Sequence, residues 1–310
     1  MTGKESAKMS RIARSRGDKL FDFVNIVLLV LIVIIVAYPL YFTLIASLSN
    51  PYAVSRGEVI FWVKDFTLEP YTNIFINDDI WLGYANSIIN TVIVTLYNLA
   101  LTIPCGYVLA RRGVFGKRVL MTYFVITMYV SGGMIPGYML VKQLGLIDTR
   151  WALIIPAGFS VYNMIITRTF FMSNISEELY EAARIDGCDE INTFFYIALP
   201  LSKAIIAVIA LYVAVAHWND YFSALLYLSS KRLFPLQYVL RNILILNQQM
   251  KNIITSSMSA KMVESLRQRS LMAEGMKYST IFISSLPMLI AYPFVQKYFI
   301  KGVMIGALKG

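Results

Sequence analysis

The chain is poor in the side chains that most chemistry needs. Its 310 residues include one histidine, His217, and two cysteines, Cys105 and Cys188. A single imidazole without a cysteine cluster leaves no zinc-type ligand set, so no metal is expected. Cys105 falls in an apolar run and Cys188 in a charged one, and no disulfide is expected between them. No nucleophile–base pair stands out, which argues against an enzyme. The phosphate-binding pattern Gly-x-x-x-x-Gly-Lys-Ser/Thr is missing too. The nearest fragment, Gly113 to Arg118, has the wrong spacing and no hydroxyl. Any nucleotide hydrolysis that serves this chain therefore sits on another polypeptide. No repeat recurs at a fixed period. The first apolar run has no small-residue cleavage site and reads as a retained span rather than a leader.

What the chain has in excess is apolar sequence. Hydrophobic residues make up 57% and charged residues 15%, and the mean hydropathy is +0.61. A soluble domain has no solvent-facing use for so much apolar surface, so an integral membrane protein is expected. Helices are the natural spanning element, because each satisfies its own backbone in lipid. The expected fold is all-α and polytopic. Its six spans lie at about 23–46, 83–110, 119–141, 151–171, 204–228 and 278–300, each long enough for roughly 30 Å of hydrocarbon. A basic tail over 1–20 precedes a transmembrane domain over 21–310. Net charge is +10, but the basic residues flank apolar runs, and nucleic-acid binding is a poor explanation.

Six spans put both termini on one side. The basic tail and the turn carrying Arg111, Arg112, Lys117 and Arg118 make that side cytoplasmic. Residues 229–277 are also basic. The positive-inside rule acts mainly on short loops, so this stretch reads as a long external polar loop. Ser131-Gly132-Gly133 and Pro136-Gly137 break the outer part of the third span. Such irregular backbone survives at depth only inside protein or beside a water-filled cavity.

The organising stretch is Ser176 to Pro200, inside a charged loop at 173–203. Ser176 is placed to cap a helix, with Glu177 and Glu178 in its first turn. Gly187 suits the left-handed position that ends it. Asp189 is placed to cap a second helix that reaches Pro200. A short helix, a glycine turn and another short helix follow from this, and Ala182 and Ala183 let a second surface approach the backbone closely.

The spacing Glu181-Ala182-Ala183, Gly187, Ile197, Leu199-Pro200 resembles the signature of MetI-like membrane subunits of bacterial ABC importers, without departure. An amphipathic loop with no partner is the plain alternative. The resemblance covers nearly the whole chain. Trp218-Asn219-Asp220-Tyr221 and the ending from Tyr298 to Gly310 resemble carbohydrate permeases of the maltose type, in the branch for complex and acidic oligosaccharides. The resemblance implies a heterodimer with a second related permease, two cytoplasmic ATPase subunits that hold ATP and magnesium, and an extracytoplasmic solute-binding protein. It implies no cofactor on this chain, a place in the bacterial cell membrane in contact with lipid, and a coupling role for the seven signature residues. Glu181 then meets a basic or hydroxyl group on the ATPase.

A sugar path calls for polar and aromatic residues within spans. Asn86, Asn90, Tyr129, Asn163, Trp218, Asn219 and Asp220 meet that description. Any of them could equally join helices by hydrogen bonds worth roughly 1 kcal/mol each. An importer for peptides or amino acids, a non-transporting scaffold and an ion-driven transporter remain the competing readings.

Overall fold

The computed structural model describes residues 16–253 and 260–307. Most of the basic tail, the stretch 254–259 and the last three residues lie outside the described residues. Among the described residues every regular element is helical, in agreement with the expected all-α class.

The first helix, α1 (Arg16–Ser47), contains Pro39 and is exposed along its length until Ile45, Ala46 and Ser47. There it meets Val54 on α2 (Pro51–Ser55). Next come α3 (Glu69–Ile76) and α4 (Asp78–Ala110). Asn77 starts α4 by accepting a hydrogen bond from the Asp79 amide at 3.0 Å. By length and composition α1 and α4 can each cross a membrane alone.

The expected third span is α5 (Lys117–Tyr129) and α6 (Met134–Gln143), bent by 111° at 130–133. Gly133 sits there at φ +87, a conformation open to glycine. The expected fourth span is also interrupted. It comprises α7 (Trp151–Ile154) and α8 (Val161–Asn174), separated at 155–160. Pro156 within the gap cannot donate to a helix, and the Ser160 side chain accepts from the Asn163 amide to restart one.

The signature stretch forms α9 (Glu177–Ile185), α10 (Glu190–Asn192), a π-helical turn over Thr193–Ala198 and α11 (Leu199–Leu201). The chain then bends by 78° into α12 (Lys203–Trp218). After α13 (Phe222–Tyr227), the region read as a polar loop is largely helical. It holds α14 (Leu236–Ile253) and the first turns of α15 (Ala260–Ala307). This is a correction with a simple cause. Leu236, Val239 and Leu240 are buried, and Ile243 packs partly beside them, at one-face helical spacing. Average polarity hides such a face.

The bundle is held around α4, which packs most extensively against α8 and α12. Val94, Ile154, Ile205, Ile209 and Val213 fill the middle. One end is closed by Ile74, Ile80, Trp218 and Leu236. The other end carries the signature loop, over Ile103, Tyr107, Phe171, Tyr180 and Phe194.

Candidate functional site

The loop is built by its own capping rules. Gly187 at φ +80 ends α9, and the Cys188 amide returns to the Ala183 carbonyl at 2.9 Å. Asp189 accepts from the Asn192 amide at 2.7 Å and starts α10. Ser176 occupies the cap position of α9 but makes no side-chain cap bond, so the expected serine cap is corrected. Glu181, Ala182, Gly187 and Pro200 are exposed, and Ile197 and Leu199 are half-buried. Ala183 is buried at 4%, so the close approach expected of it is made within the chain. The loop turns several apolar side chains outward, Ile185 the most at 86% exposure, with Tyr196 and Ile191 also exposed.

Sequence reasoning missed what fixes this loop to the bundle. Arg111, the residue that caps the C-terminal end of α4, is only 7% exposed. Its Nη1 donates to Glu177 Oε1 at 3.3 Å and its Nη2 to Glu190 Oε1 at 3.2 Å. Its guanidinium carbon lies 3.8 Å from the centre of the Tyr180 ring, within cation–π range. Arg184 reaches the same Glu190 oxygen at 3.1 Å, and the Tyr107 hydroxyl donates to Oε2 at 3.4 Å. The Arg111 hydrogen bond holds the Glu190 carboxyl below its ordinary range, against the effect of desolvation. Burial pushes the Tyr180 hydroxyl up to about 12, and no described residue hydrogen-bonds it. Both limbs of the loop thus converge on one arginine. Local signals could flag its charge but not its partners.

The end of α4 is dressed by other cations as well. Arg168 Nε donates to the Leu109 carbonyl at 3.0 Å, and Lys117 Nζ to the Ala110 and Arg111 carbonyls at 3.3 and 3.0 Å. These are the carbonyls that a helix end leaves without intrahelical partners, at its negative pole.

The residues expected along a sugar path do not form one site. Asn163 and Asp220 line a cavity of about 450 Å³ between α4, the 155–160 break and α12. Asn98, Tyr162, Tyr212 and His217 line it too, and none of these four was singled out as a path residue. Asn98 fell within a recognised span, but only its neighbours Asn86 and Asn90 were assigned to the path. In the structure Asn86 and Asn90 are 3% and 1% exposed and take up Arg150. Trp218 is buried at 3%, and its Nε1 donates to the Ser284 carbonyl at 3.1 Å. The Trp218 ring is spent on internal packing with Ile74, Ile80 and Leu236. Asn219 bonds the Val215 carbonyl within its own helix. Tyr129 stands 79% exposed at the end of α5, away from the cavity lining.

A largely apolar cavity with a few polar side chains, in an apolar helical bundle that carries a capped loop at one end, is compatible with a membrane protein that handles a small solute. The family model for the binding-protein-dependent transport system inner membrane component matches residues 80–305. The chain belongs to this family of MetI-like transport permeases. It is similar to protein LplC of Bacillus subtilis (strain 168), with 38% identity over 98% of this chain and 100% of that one. It is also 37% identical to the polygalacturonan/rhamnogalacturonan transport system permease protein YtcP of the same organism, over 94% of this chain and 99% of the relative. Among solved structures it resembles a chain in the crystal structure of a bacterial ABC transporter involved in the import of the acidic polysaccharide alginate. The TM-score is 0.80 and the identity 31%, over 92% of this permease and 99% of that chain. The family is one of transporter permeases and not of enzymes.

Proposed function

We propose that the permease is the membrane-spanning subunit of an ABC importer for acidic oligosaccharides. One observation carries the substrate class. The relatives most informative in name, a polygalacturonan/rhamnogalacturonan permease and an alginate importer, both handle acidic glycans and match nearly full length. Two cytoplasmic ATPase subunits bind and hydrolyse ATP with magnesium. A second related permease completes the membrane part, and a solute-binding protein delivers the glycan from outside. The signature loop and both termini face the cytoplasm of the bacterial cell. ATP-driven closure of the ATPases moves the docked loops and swings the helices between inward-open and outward-open states.

Within this reading Glu181, Ala182, Gly187 and Pro200, together with Ile185, form the exposed surface that meets the ATPase. Ala183, Ile197 and Leu199 hold that surface from behind. Asn163 and Asp220 belong to the sugar path with His217, Asn98, Tyr162 and Tyr212, which offer the hydrogen-bonding groups and ring faces a glycan needs. Asp220 disfavours a carboxylate beside it. The preference for acidic sugars therefore draws on exposed cations such as Lys231 and Arg232, which attract an anionic glycan by steering.

The test is purification of the assembled complex with its binding protein, identification of the retained glycan, and an uptake assay in proteoliposomes. The expected result is ATP-dependent uptake of uronic-acid oligosaccharides in preference to neutral ones. Equal uptake of both removes the acidic assignment, and uptake of peptides instead removes the sugar assignment.

A further inference from the structure

The covalent route out of the signature loop leads to two helices. Backwards, α9 joins α8 through Ile175 and Ser176, and forwards the 190–201 segment joins α12. Neither connection reaches α4, yet α4 is the central helix, and Val94 and Asn98 on it form one wall of the cavity. That wall otherwise follows the loop through side-chain packing, along α8 and α12 and against Tyr180 and Phe194, with one long hydrogen bond from Tyr107 to Glu190. Packed helices can slide past one another by small shear.

Arg111 closes this gap. It is the only buried charged side chain among the described residues. It takes one carboxylate from the start of α9, Glu177, and one from beyond the glycine turn, Glu190, at 3.3 and 3.2 Å. The ring of Tyr180, between the two in sequence, lies against its face. Three contacts from both limbs therefore meet on a planar fork at the tip of α4. A guanidinium offers separate prongs to the two carboxylates and a flat face to the ring, whereas an ammonium carries its three donors on one atom and does not match that spread. A buried arginine with two carboxylate partners resists being pulled from either, because separation leaves a charge uncompensated.

We infer that Arg111 is a positioning residue that locks α4 to the signature loop, so that the loop's movement is delivered to the cavity wall as well as to α8 and α12. This rests on the loop being the ATPase contact. The linkage acts through geometry, and Arg111 touches neither nucleotide nor sugar.

The test uses the complete complex in proteoliposomes, with ATPase subunits, second permease and loaded binding protein. Uptake and ATP hydrolysis are measured in the same samples for wild type, Arg111→Lys and Glu190→Gln. Glu190 is 59% exposed at its side chain, and glutamine keeps an acceptor for Arg111 while Glu177 keeps its charge, so the amide variant is the milder of the two. Both variants are expected to keep hydrolysing ATP while uptake per ATP falls by about tenfold, the size of a typical coupling free energy between sites. Spin labels at Phe115→Cys and Asn192→Cys, both exposed positions outside the surface assigned to the ATPase, are placed in a background lacking Cys105 and Cys188. Their separation is expected to stay fixed through the ATP cycle in wild type and to change in the two variants. Unchanged uptake per ATP in both variants overturns the inference, as does a separation that changes in wild type. Loss of complex assembly in both also overturns it, by assigning the contact to folding alone. A wild-type complex that shows no ATP-dependent uptake counts against the importer reading instead.

Discussion

Arg150 donates from Nη2 to Asn86 Oδ1 at 2.8 Å, and the other prong of its fork donates to Asn90 Oδ1 at 2.6 Å. The Asn86 amide nitrogen goes on to the Arg232 and Phe234 carbonyls at 2.8 and 3.2 Å. The turn before α7, the first half of α4 and the entry to α14 are thereby tied into one block. Arg150→Ala leaves two buried amide oxygens without their donors. It is expected to destabilise the protein by about 1–3 kcal/mol for the unsatisfied groups. Arg150→Lys keeps a single prong and is expected to fall between. Thermal unfolding in detergent reads both, and an unshifted midpoint for the alanine variant refutes the linking role.

Two glycines mark close helix contacts with different consequences. A Cβ on Gly106 would lie 2.7 Å from Thr167 Cγ2 and 3.1 Å from the Arg168 amide nitrogen, so the α8 backbone itself is in the way. The atoms nearest a Cβ on Gly158 would be those of the Tyr97 ring, at 1.9 Å, and that ring is 38% exposed and able to swing aside. Gly106→Ala is expected to cost about 1–3 kcal/mol by overpacking. Gly158→Ala is expected to cost less, and the order of the two melting temperatures checks this.

Gly187 poses a purely conformational requirement. It sits at φ +80 with open space where a side chain would go. Gly187→Val is strained by about 1–2 kcal/mol through its backbone alone. Gly187→Asn, which tolerates the left-handed region, is expected to behave almost as wild type. Uptake per ATP is expected to drop for valine and hold for asparagine. Equal loss in both would show that bulk at the ATPase contact, and not the turn, decides.

The Asp148 carboxylate, itself at φ +57, accepts from the Ser229 and Ser230 amides at 2.9 and 2.8 Å and from the Ser230 hydroxyl. These bonds hold its pKa below the usual carboxylate value, with the Ser230 hydroxyl contributing most. A depressed folded-state pKa contributes stability that is present above the unfolded value, near 3.9, and lost as pH falls through the folded one. Hydrogen exchange at Ser229 and Ser230 is expected to stay protected through mild acid and to open only below about pH 4. Opening at pH 5 or above would contradict the bonding.

The signature loop was legible because its rules are local: an acidic first turn, a left-handed glycine and an aspartate cap all act within a few residues. Arg111 was legible only as a positive charge. Its partners lie 66 and 79 positions away, and no short window contains them. Trp218 misled for the same reason, since the Ser284 carbonyl that takes its indole is 66 residues distant. The helix at Leu236–Ile253 was hidden by its average polarity, set by Gln and Asn residues with Arg241 and Lys251, although its apolar face keeps the helical period. The cavity lies at a break in the expected fourth span that Pro156 and Gly158 announce, yet which side chains face it depends on three helices at once.

One consequence follows from the bareness of α1. Among the described residues its apolar length is almost wholly exposed, its buried side chains and the contact of Phe42 with Tyr278 lie in the final turns, and it precedes the stretch that the family model matches. Its tilt is therefore set by lipid and by whatever chain lies alongside. It acts as a mooring mast, planted at one foot and free for a neighbour to lean on.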